Sequence, residues 1–405
     1  MPDERRLVLS VEEAREHILA TVHVLEPECV GLLEAEGRVL AEEVAADRDI
    51  PPLANSAMDG YGVRGADVTQ APARLRIVGE IAAGHVSEVG IGPGQAVRIM
   101  TGAPVPAGAD TVVRFEDTHQ DGSWVEVSKA YPPGKNVRAA GEDVQAGQVV
   151  LEPGKALRPQ EIGMLAAVGR MKVAVVRRPR VAILATGDEV VPPDQSPGPG
   201  QIRDANSYTV AAQVQTFGGL PLLLGVARDE EALVRRGMRE ALEREADFII
   251  TSGGVSMGDF DLVKQVLAAE GEMHFWSLNM KPGRPMAFGV VDGVPLLGLP
   301  GNPVAAMIST ELFARPALLK MQGFTDWSHP KVAARLTQPI ARKDGRRHYL
   351  RVRLLETDAG YEAMLTGDQG SGILDSLVQA DGLAIIPEDV DHLQAGTDVM
   401  VILLK

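Results

Sequence analysis

Residues 249–261 read "IITSGGVSMGDFD". β-favouring residues run into the adjacent glycines Gly253 and Gly254, a turn of small residues follows, and Asp259 and Asp261 open a helical pattern. Outward from this strand–turn–helix unit the same alternation repeats. "RVAILAT" (180–186), "LPLLLGVA" (220–227) and "DFIIT" (247–251) read as strands. "NSYTVAAQVQTFGG" (206–219), with Asn206 as cap and Gly218 as stop, reads as a helix, as do residues 229–245, 259–271 and a long final helix over 302–323. Such alternation predicts a mostly parallel sheet covered on both faces, a central α/β domain over 178–327.

The flanks have another texture. "RLRIVGEI" (74–81), "AVRIM" (96–100), "TVVRFED" (111–117) and "WVEVSKA" (124–130) are short β-prone runs between glycine and proline turns, and they predict a small β-domain over 51–140. Before it, Ser10 and Glu13 form a capping-box pattern ahead of a helix near residues 11–22; after it, "RPQEIGMLAAVG" (158–169) reads as a helix closed by a glycine. These two helices are expected to pack together, which makes 1–50 and 141–177 a discontinuous first domain with the β-domain inserted. Residues 328–405, with runs such as "RHYLRVRLLE" (347–356) and "GLAIIPE" (382–388), predict a C-terminal β-domain.

Composition narrows the function. A chain of 405 residues with 45% hydrophobic and 23% charged residues reads as a soluble, multidomain protein. A net charge of -15 without a long basic stripe argues against nucleic acid. No apolar run approaches the length of a membrane span, and the opening residues read as neither a secretory nor a mitochondrial signal. Cys29 is the single cysteine, which excludes an intramolecular disulfide and a cysteine metal cluster. The eight histidines show no ligand spacing. The cytoplasm is the expected compartment.

Ligands of open α/β sheets bind beyond the carboxyl ends of the strands, where Gly253 and Gly254 stand. A second strand end, "ILATGDEVV" (183–191), continues through Thr186 and Gly187 into Asp188 and Glu189. Two strand ends with glycine and acids suggest one crevice, and carboxylates beside bound phosphate call for a divalent cation, Mg²⁺ being the natural one. Facing these acids, "MKPGRPMAFG" (280–289) sets Lys281 and Arg284 around a Pro-Gly turn as an anion clamp, to which the helix start at Asn302 adds N–H donors. In the β-domain, "NSAMDGYGV" (55–63) holds Asp59 in an Asp-Gly turn, a motif that is usually structural, and "RIMTGAPVPAGAD" (98–110) exposes Thr101.

Seven motifs, "NSAMDGYGV", "RIMTGAPVPAGADTVV", "GEDV", "LATGDEV", "TSGGVSMGDFD", "MKPGRP" and "LPGNPVA", stand in the order found in the MoeA family of molybdopterin molybdenumtransferases, which the chain resembles over nearly its whole length. The E domains of gephyrin and Cnx are the family's eukaryotic relatives. "TSGGVSMGD" alone is shared with the MogA-type adenylyltransferases. The resemblance implies an elongated homodimer of four-domain subunits with composite active sites, and transient contact with other proteins of molybdenum cofactor biosynthesis. The implied reaction inserts molybdenum from molybdate into the dithiolene of adenylylated molybdopterin, with Mg²⁺-dependent release of AMP.

By motif position the resemblance implies catalytic roles for Asp59, Thr101, Asp143, Glu189 and Asp259, with Glu189 and Asp259 on the metal. It implies substrate binding by Asp229, Lys281, Arg284, Arg351 and Ser371; Thr186, Ser252, Gly253, Gly254 and Ser256 are expected to line the phosphate turn. Two positions depart from the family pattern: Arg284 stands where lysine is frequent and Ala305 where serine is common. The alternatives are adenylylation of molybdopterin, which needs only the central domain, and a gephyrin-like binding scaffold.

Overall fold

The computed structural model describes residues 8–86, 88, 90–254 and 271–404, with side chains left out over 271–276. Asp259, Asp261 and Ser256 therefore lie outside the described residues. Contacts divide the chain into two compact units: residues 1–28, 37–39 and 175–405, and residues 29–36 and 40–174.

The first unit is built on a seven-stranded sheet. Its order is Val8–Leu9, Gly271–Leu278, Pro285–Val291, Val294–Leu299, Phe248–Ser252, Arg180–Thr186, Leu220–Ala227. Only Pro285–Val291 runs against the rest, so the sheet is mostly parallel as expected. Its central strands are apolar over Val181–Ala185 and Phe248–Ile250, where both faces are covered. Val181, Ile183, Phe248 and Ile250 face the layer formed by helices Val11–Thr21, Asn206–Thr216 and the segment from Pro303 to Met321. Ala182, Leu184 and Ile249 face helix Glu231–Glu243 through Val234, Met238 and Ala241. That helix approaches closely at Gly237, where a Cβ would stand 2.8 Å from Leu184 Cδ2.

The first helix packs against the central sheet. Its capping box is present, with Glu13 N–H donating to Ser10 Oγ at 3.2 Å and Ser10 N–H to Glu13 Oε2 at 2.8 Å. Yet Leu9, Val11, Ala14, Ile18 and Val22 join the core of the central sheet, and Val8–Leu9 adds a parallel edge strand beside Ser277 and Leu278. In the second unit, helix Pro159–Ala167 packs against the short helix Leu32–Ala35. The apolar stripe of the first helix is buried against the segment from Thr310 to Met321.

The final helix also departs from the continuous reading. Pro303–Ser309 and Arg315–Met321 are α-helical, but Thr310–Ala314 between them is a π-helix, with Arg315 N–H donating to Thr310 O. Pro316 supplies no N–H and its ring crowds the carbonyl four residues back, so the turn before it widens. Here Glu311 is buried, and burial raises its carboxyl. His329 Nε2 lies 2.9 Å from Glu311 O, and burial pushes the imidazole down to about 4.

Unfolded histidine takes a proton near pH 6.5, so the stability contributed by neutral His329 is present above that value and is lost as the pH falls toward about 4, a term of roughly 3 kcal/mol. Protonation of Glu311 opposes it. His329→Gln is expected to flatten the acid side of the stability profile, read as urea midpoints between pH 7 and 4; an unchanged slope would assign the acid sensitivity elsewhere.

The same unit ends in a closed barrel. Strands Arg347–Thr357, Gly360–Leu365, Lys331–Leu336, Asp398–Leu403 and Gly382–Ile386 pair in that order, and the long first strand closes the ring by pairing with Gly382–Ile386 as well. Met280–Lys281 adds to Arg347–His348, which ties the barrel to the central sheet. The second unit holds a six-stranded sheet in the order Thr111–Arg114, Gly60–Val63, Gln95–Ile99, Ala73–Ile81, Trp124–Val127, Thr118–Asp121.

Candidate functional site

The carboxyl ends of adjacent strands are stitched together. Gly187 N–H donates to Ala227 O at 3.2 Å, Thr186 Oγ1 to Ser252 O at 3.4 Å, and Gly253 N–H to Leu299 O at 3.1 Å. Gly253 has φ +91, and a Cβ there would stand 2.5 Å from Thr186 O. The glycine is required by that approach. Gly254 follows with φ +62. The structure thus brings Thr186, Glu189, Ser252 and Gly253 to one edge, where Thr186, Glu189 and Ser252 share a small cavity of about 100 Å³ with Asn206 and Gly301.

Asn206 is not the helix cap. Asp204 Oδ1 accepts Ser207 N–H at 3.0 Å and takes that role, an Asx spacing legible in "DANS" (204–207). The Asn206 amide is thereby free to donate to Gly301 O and Ser252 Oγ, both at 2.7 Å. Because Ser252 Oγ accepts from that amide, its own O–H remains to donate to a ligand.

Acids crowd the far side of the turn. Asp229 N–H donates to Asp188 Oδ1 at 3.2 Å, and the Asp229 carboxyl is raised, first by burial and then by repulsion from Asp188 and Glu189. Mutual repulsion of this kind fits a bound cation. Among the described residues, however, no group of three His, Cys, Asp or Glu side chains converges on one point. Glu189 is available to a metal; Asp259, its expected partner, lies outside the described residues.

Across the loop of residues 299–303 opens a larger cleft of about 800 Å³, lined by Lys281, Arg284, Asn302, Ala305, Arg342 and Ser371 among others. Gly283, with φ +101, seats the Lys281–Arg284 turn on the helix: a Cβ would stand 2.9 Å from Ser309 Oγ. Arg284 Nε donates to Ser277 Oγ at 3.1 Å, and Lys281 Nζ lies 3.7 Å from Asp344. Burial alone would raise the Asp344 carboxyl; the hydrogen bond from Arg346, with the charges of Arg346 and Lys281, outweighs it and holds the group below the usual range. Asn302 Nδ2 donates to Ser371 Oγ at 3.0 Å, which leaves the Ser371 O–H for the cleft as Asn206 leaves that of Ser252. Ala305 is buried at the cleft wall and supplies no hydroxyl.

Arg351, expected to bind substrate, is held among polar groups of its own segment. Although it borders the cleft, it is fully buried, and its guanidinium is spent on Ser376 Oγ at 2.8 Å and on the carbonyls of Gln369 at 3.2 Å and of Asp368 and Gly370 at 3.0 Å. It shapes the loop that carries Ser371.

In the other unit, Asp59 and Thr101 meet. Asp59 Oδ1 accepts the Thr101 N–H at 2.7 Å and its hydroxyl at 2.8 Å, and these two bonds, the backbone one first, lower the carboxyl. Both residues are exposed. Asp143 is exposed too, and its backbone N–H donates to Ile50 O at 3.0 Å. No described contact joins it to Asp59. Asn206 and Asp204 are the site residues that pattern reading missed.

Comparison with known proteins places this geometry. Residues 9–169 match the family model of the MoeA N-terminal region (domains I and II), residues 182–320 that of a probable molybdopterin binding domain, and residues 333–404 that of the MoeA C-terminal region (domain IV). A molybdopterin molybdenumtransferase of Nostoc is 39% identical over 94% of this chain and 89% of its own. Molybdopterin molybdenumtransferase 2 of Mycobacterium tuberculosis is 37% identical over 97% and 98%. The crystal structure of a MoeA protein from Pyrococcus horikoshii superposes with a TM-score of 0.85 at 33% identity, over 98% of this chain and 100% of that one.

Proposed function

Since the chain belongs to the MoeA family, transferases of molybdenum cofactor biosynthesis, we propose that it inserts molybdenum from molybdate into the dithiolene of adenylylated molybdopterin, with Mg²⁺-dependent release of AMP. One observation carries this reading. On the two sides of loop 299–303, two asparagine amides leave two serine hydroxyls free to donate, Ser252 beside the acidic turn and Ser371 in the basic cleft.

The turn at Ser252, Gly253 and Gly254 presents donors with no side chain in the way, suited to phosphate oxygens. Lys281 and Arg284 concentrate a dianion that the net charge of -15 would otherwise repel. Arg284 in place of lysine keeps the charge and adds a planar donor fork. Glu189, with Asp259, would hold Mg²⁺, which when bound neutralises phosphate charge during cleavage. Keeping the metal on the acidic side and molybdate on the basic side lets two groups of opposite demand work within one edge of the sheet. Asp59, Thr101, Asp143 and Asp229 are proposed as further functional residues. A homodimer and the cytoplasm belong to the same proposal; no described helix is long and apolar enough to cross a membrane.

AMP release from adenylylated molybdopterin, assayed with molybdate and Mg²⁺ together and singly, tests the reaction. Lys281→Gln is expected to raise the molybdate concentration for half-maximal release by roughly tenfold to a hundredfold, the loss of one charge-assisted hydrogen bond. AMP release that ignores molybdate would point to a hydrolase or a scaffold instead.

A further inference from the structure

Among the described residues, five Lys and Arg side chains line the large cleft, and four of them have partners. Arg346 is held by Asp344 at 2.6 Å, Lys281 lies 3.7 Å from the same carboxylate, Arg284 donates to Ser277, and Arg351 is saturated by carbonyls and Ser376. The fifth, Arg342, follows the short strand Ile340–Ala341 on the barrel wall of the cleft. Its guanidinium makes no hydrogen bond or ion pair among the described residues, and its Nη1 is buried without a partner.

Such a group is costly. A half-buried guanidinium with one buried, unmet donor nitrogen costs stability, and proteins retain such costs where function repays them. The exposed neighbour Lys343 could carry the same charge freely solvated, so net charge alone does not explain Arg342. The Asp344 carboxylate acts on Arg342 only through its field and is itself bonded to Arg346; what Nη1 lacks is a bonded anion, and the cleft is the space from which one would come. Burial has already pushed the guanidinium down to about 10, so at neutral pH it is charged and poorly hydrated, the state in which an anion gains most from meeting it.

We propose that Arg342 is an anion-binding residue of this cleft, supplying the unpaired positive charge for a tetrahedral oxyanion. The chemistry is shared by molybdate and by the phosphate group of the pterin substrate. The inference rests on the molybdate reading of the cleft and assigns it a residue outside the motifs that identified it. Arg342 stands on the barrel, on a different element from the Lys281–Arg284 turn, so the two walls grip from separate sides.

The test uses the full chain and isothermal titration with molybdate and, separately, inorganic phosphate, on wild type, Arg342→Gln, Lys343→Gln and Lys281→Gln, each with a thermal melt. Arg342→Gln is expected to weaken at least one anion by about tenfold or more while the melting temperature stays level or rises, because a half-buried charge with an unmet donor is removed. Lys343→Gln should change neither. Loss of molybdate affinity alone assigns Arg342 to molybdate; loss of phosphate affinity alone assigns it to the organic substrate. Wild-type affinity for both anions in a folded Arg342→Gln protein overturns the proposal, as does an equal loss in Lys343→Gln, which would mean a general field effect. If molybdate fails to bind wild type, or binds Lys281→Gln unchanged, the reading of the cleft falls instead, whatever Arg342→Gln does with phosphate.

Discussion

Arg351→Leu is expected to destabilise the protein by about 3–5 kcal/mol and to remove molybdate binding with it. The side chain is 0% exposed, and its donors satisfy three carbonyls and one hydroxyl. Leucine would leave the carbonyls of Asp368, Gln369 and Gly370 without their donor in a space from which water is excluded. The loop that these carbonyls belong to continues into Ser371, whose backbone carbonyl accepts Val304 N–H at 3.2 Å. Loop and hydroxyl should fail together. Arg351→Lys is not expected to rescue, since one ammonium cannot span acceptors arranged around a planar fork. Urea denaturation followed by molybdate titration checks both parts. A variant of wild-type stability that has lost molybdate would make Arg351 a direct ligand, as its motif position first suggested.

The contrast between Arg351 and Arg342 shows what a sequence conveys about such a site. Both are arginines of the barrel segment, and only Arg351 sits in a recognisable motif position. Burial and partners come from chain segments some twenty residues away, so no local pattern separates the saturated guanidinium from the unpaired one. The central strands were legible for the opposite reason: a strand covered on both faces must be apolar along its covered length, and Val181–Ala185 of "RVAILAT" is. The same one-dimensional logic found the capping box at Ser10; that its helix lies against the segment from Thr310 to Met321 is a contact across some three hundred residues that no local pattern carries. The run over 302–323 read as one helix although Pro316 stands inside it; that the chain answers the proline with a π turn rather than an end depends on the core holding both halves. The glycines and Lys281 with Arg284 were found because turn chemistry is local. Asn206 looked like a cap, and only the three-dimensional neighbourhood of Ser252 and Gly301 gives its amide another use.

The adjacent glycines of the opening turn should respond differently to the same substitution. Gly253→Val places a Cβ 2.5 Å from Thr186 O and 2.9 Å from its Oγ1, with φ at +91. The carbonyl is backbone in a buried strand end, so it cannot step aside without breaking the register that joins Ala185 to Ser252. A loss of about 3 kcal/mol or more is expected, from backbone strain and the displaced strand end together. Gly254→Val meets a lesser penalty, about 1–2 kcal/mol for a φ of +62 in a non-glycine residue, and should remain folded. Gly301→Ala serves as the control for stability, because its Cβ would find only Gly253 Cα, at 3.8 Å. If the turn cradles phosphate, both valine variants lose adenylylated molybdopterin, but only Gly253→Val loses stability as well. Thermal melts beside calorimetric titration with the adenylylated pterin separate the two effects. Unchanged affinity in a folded Gly254→Val protein would leave these glycines with backbone geometry alone and send the phosphate to another part of the edge.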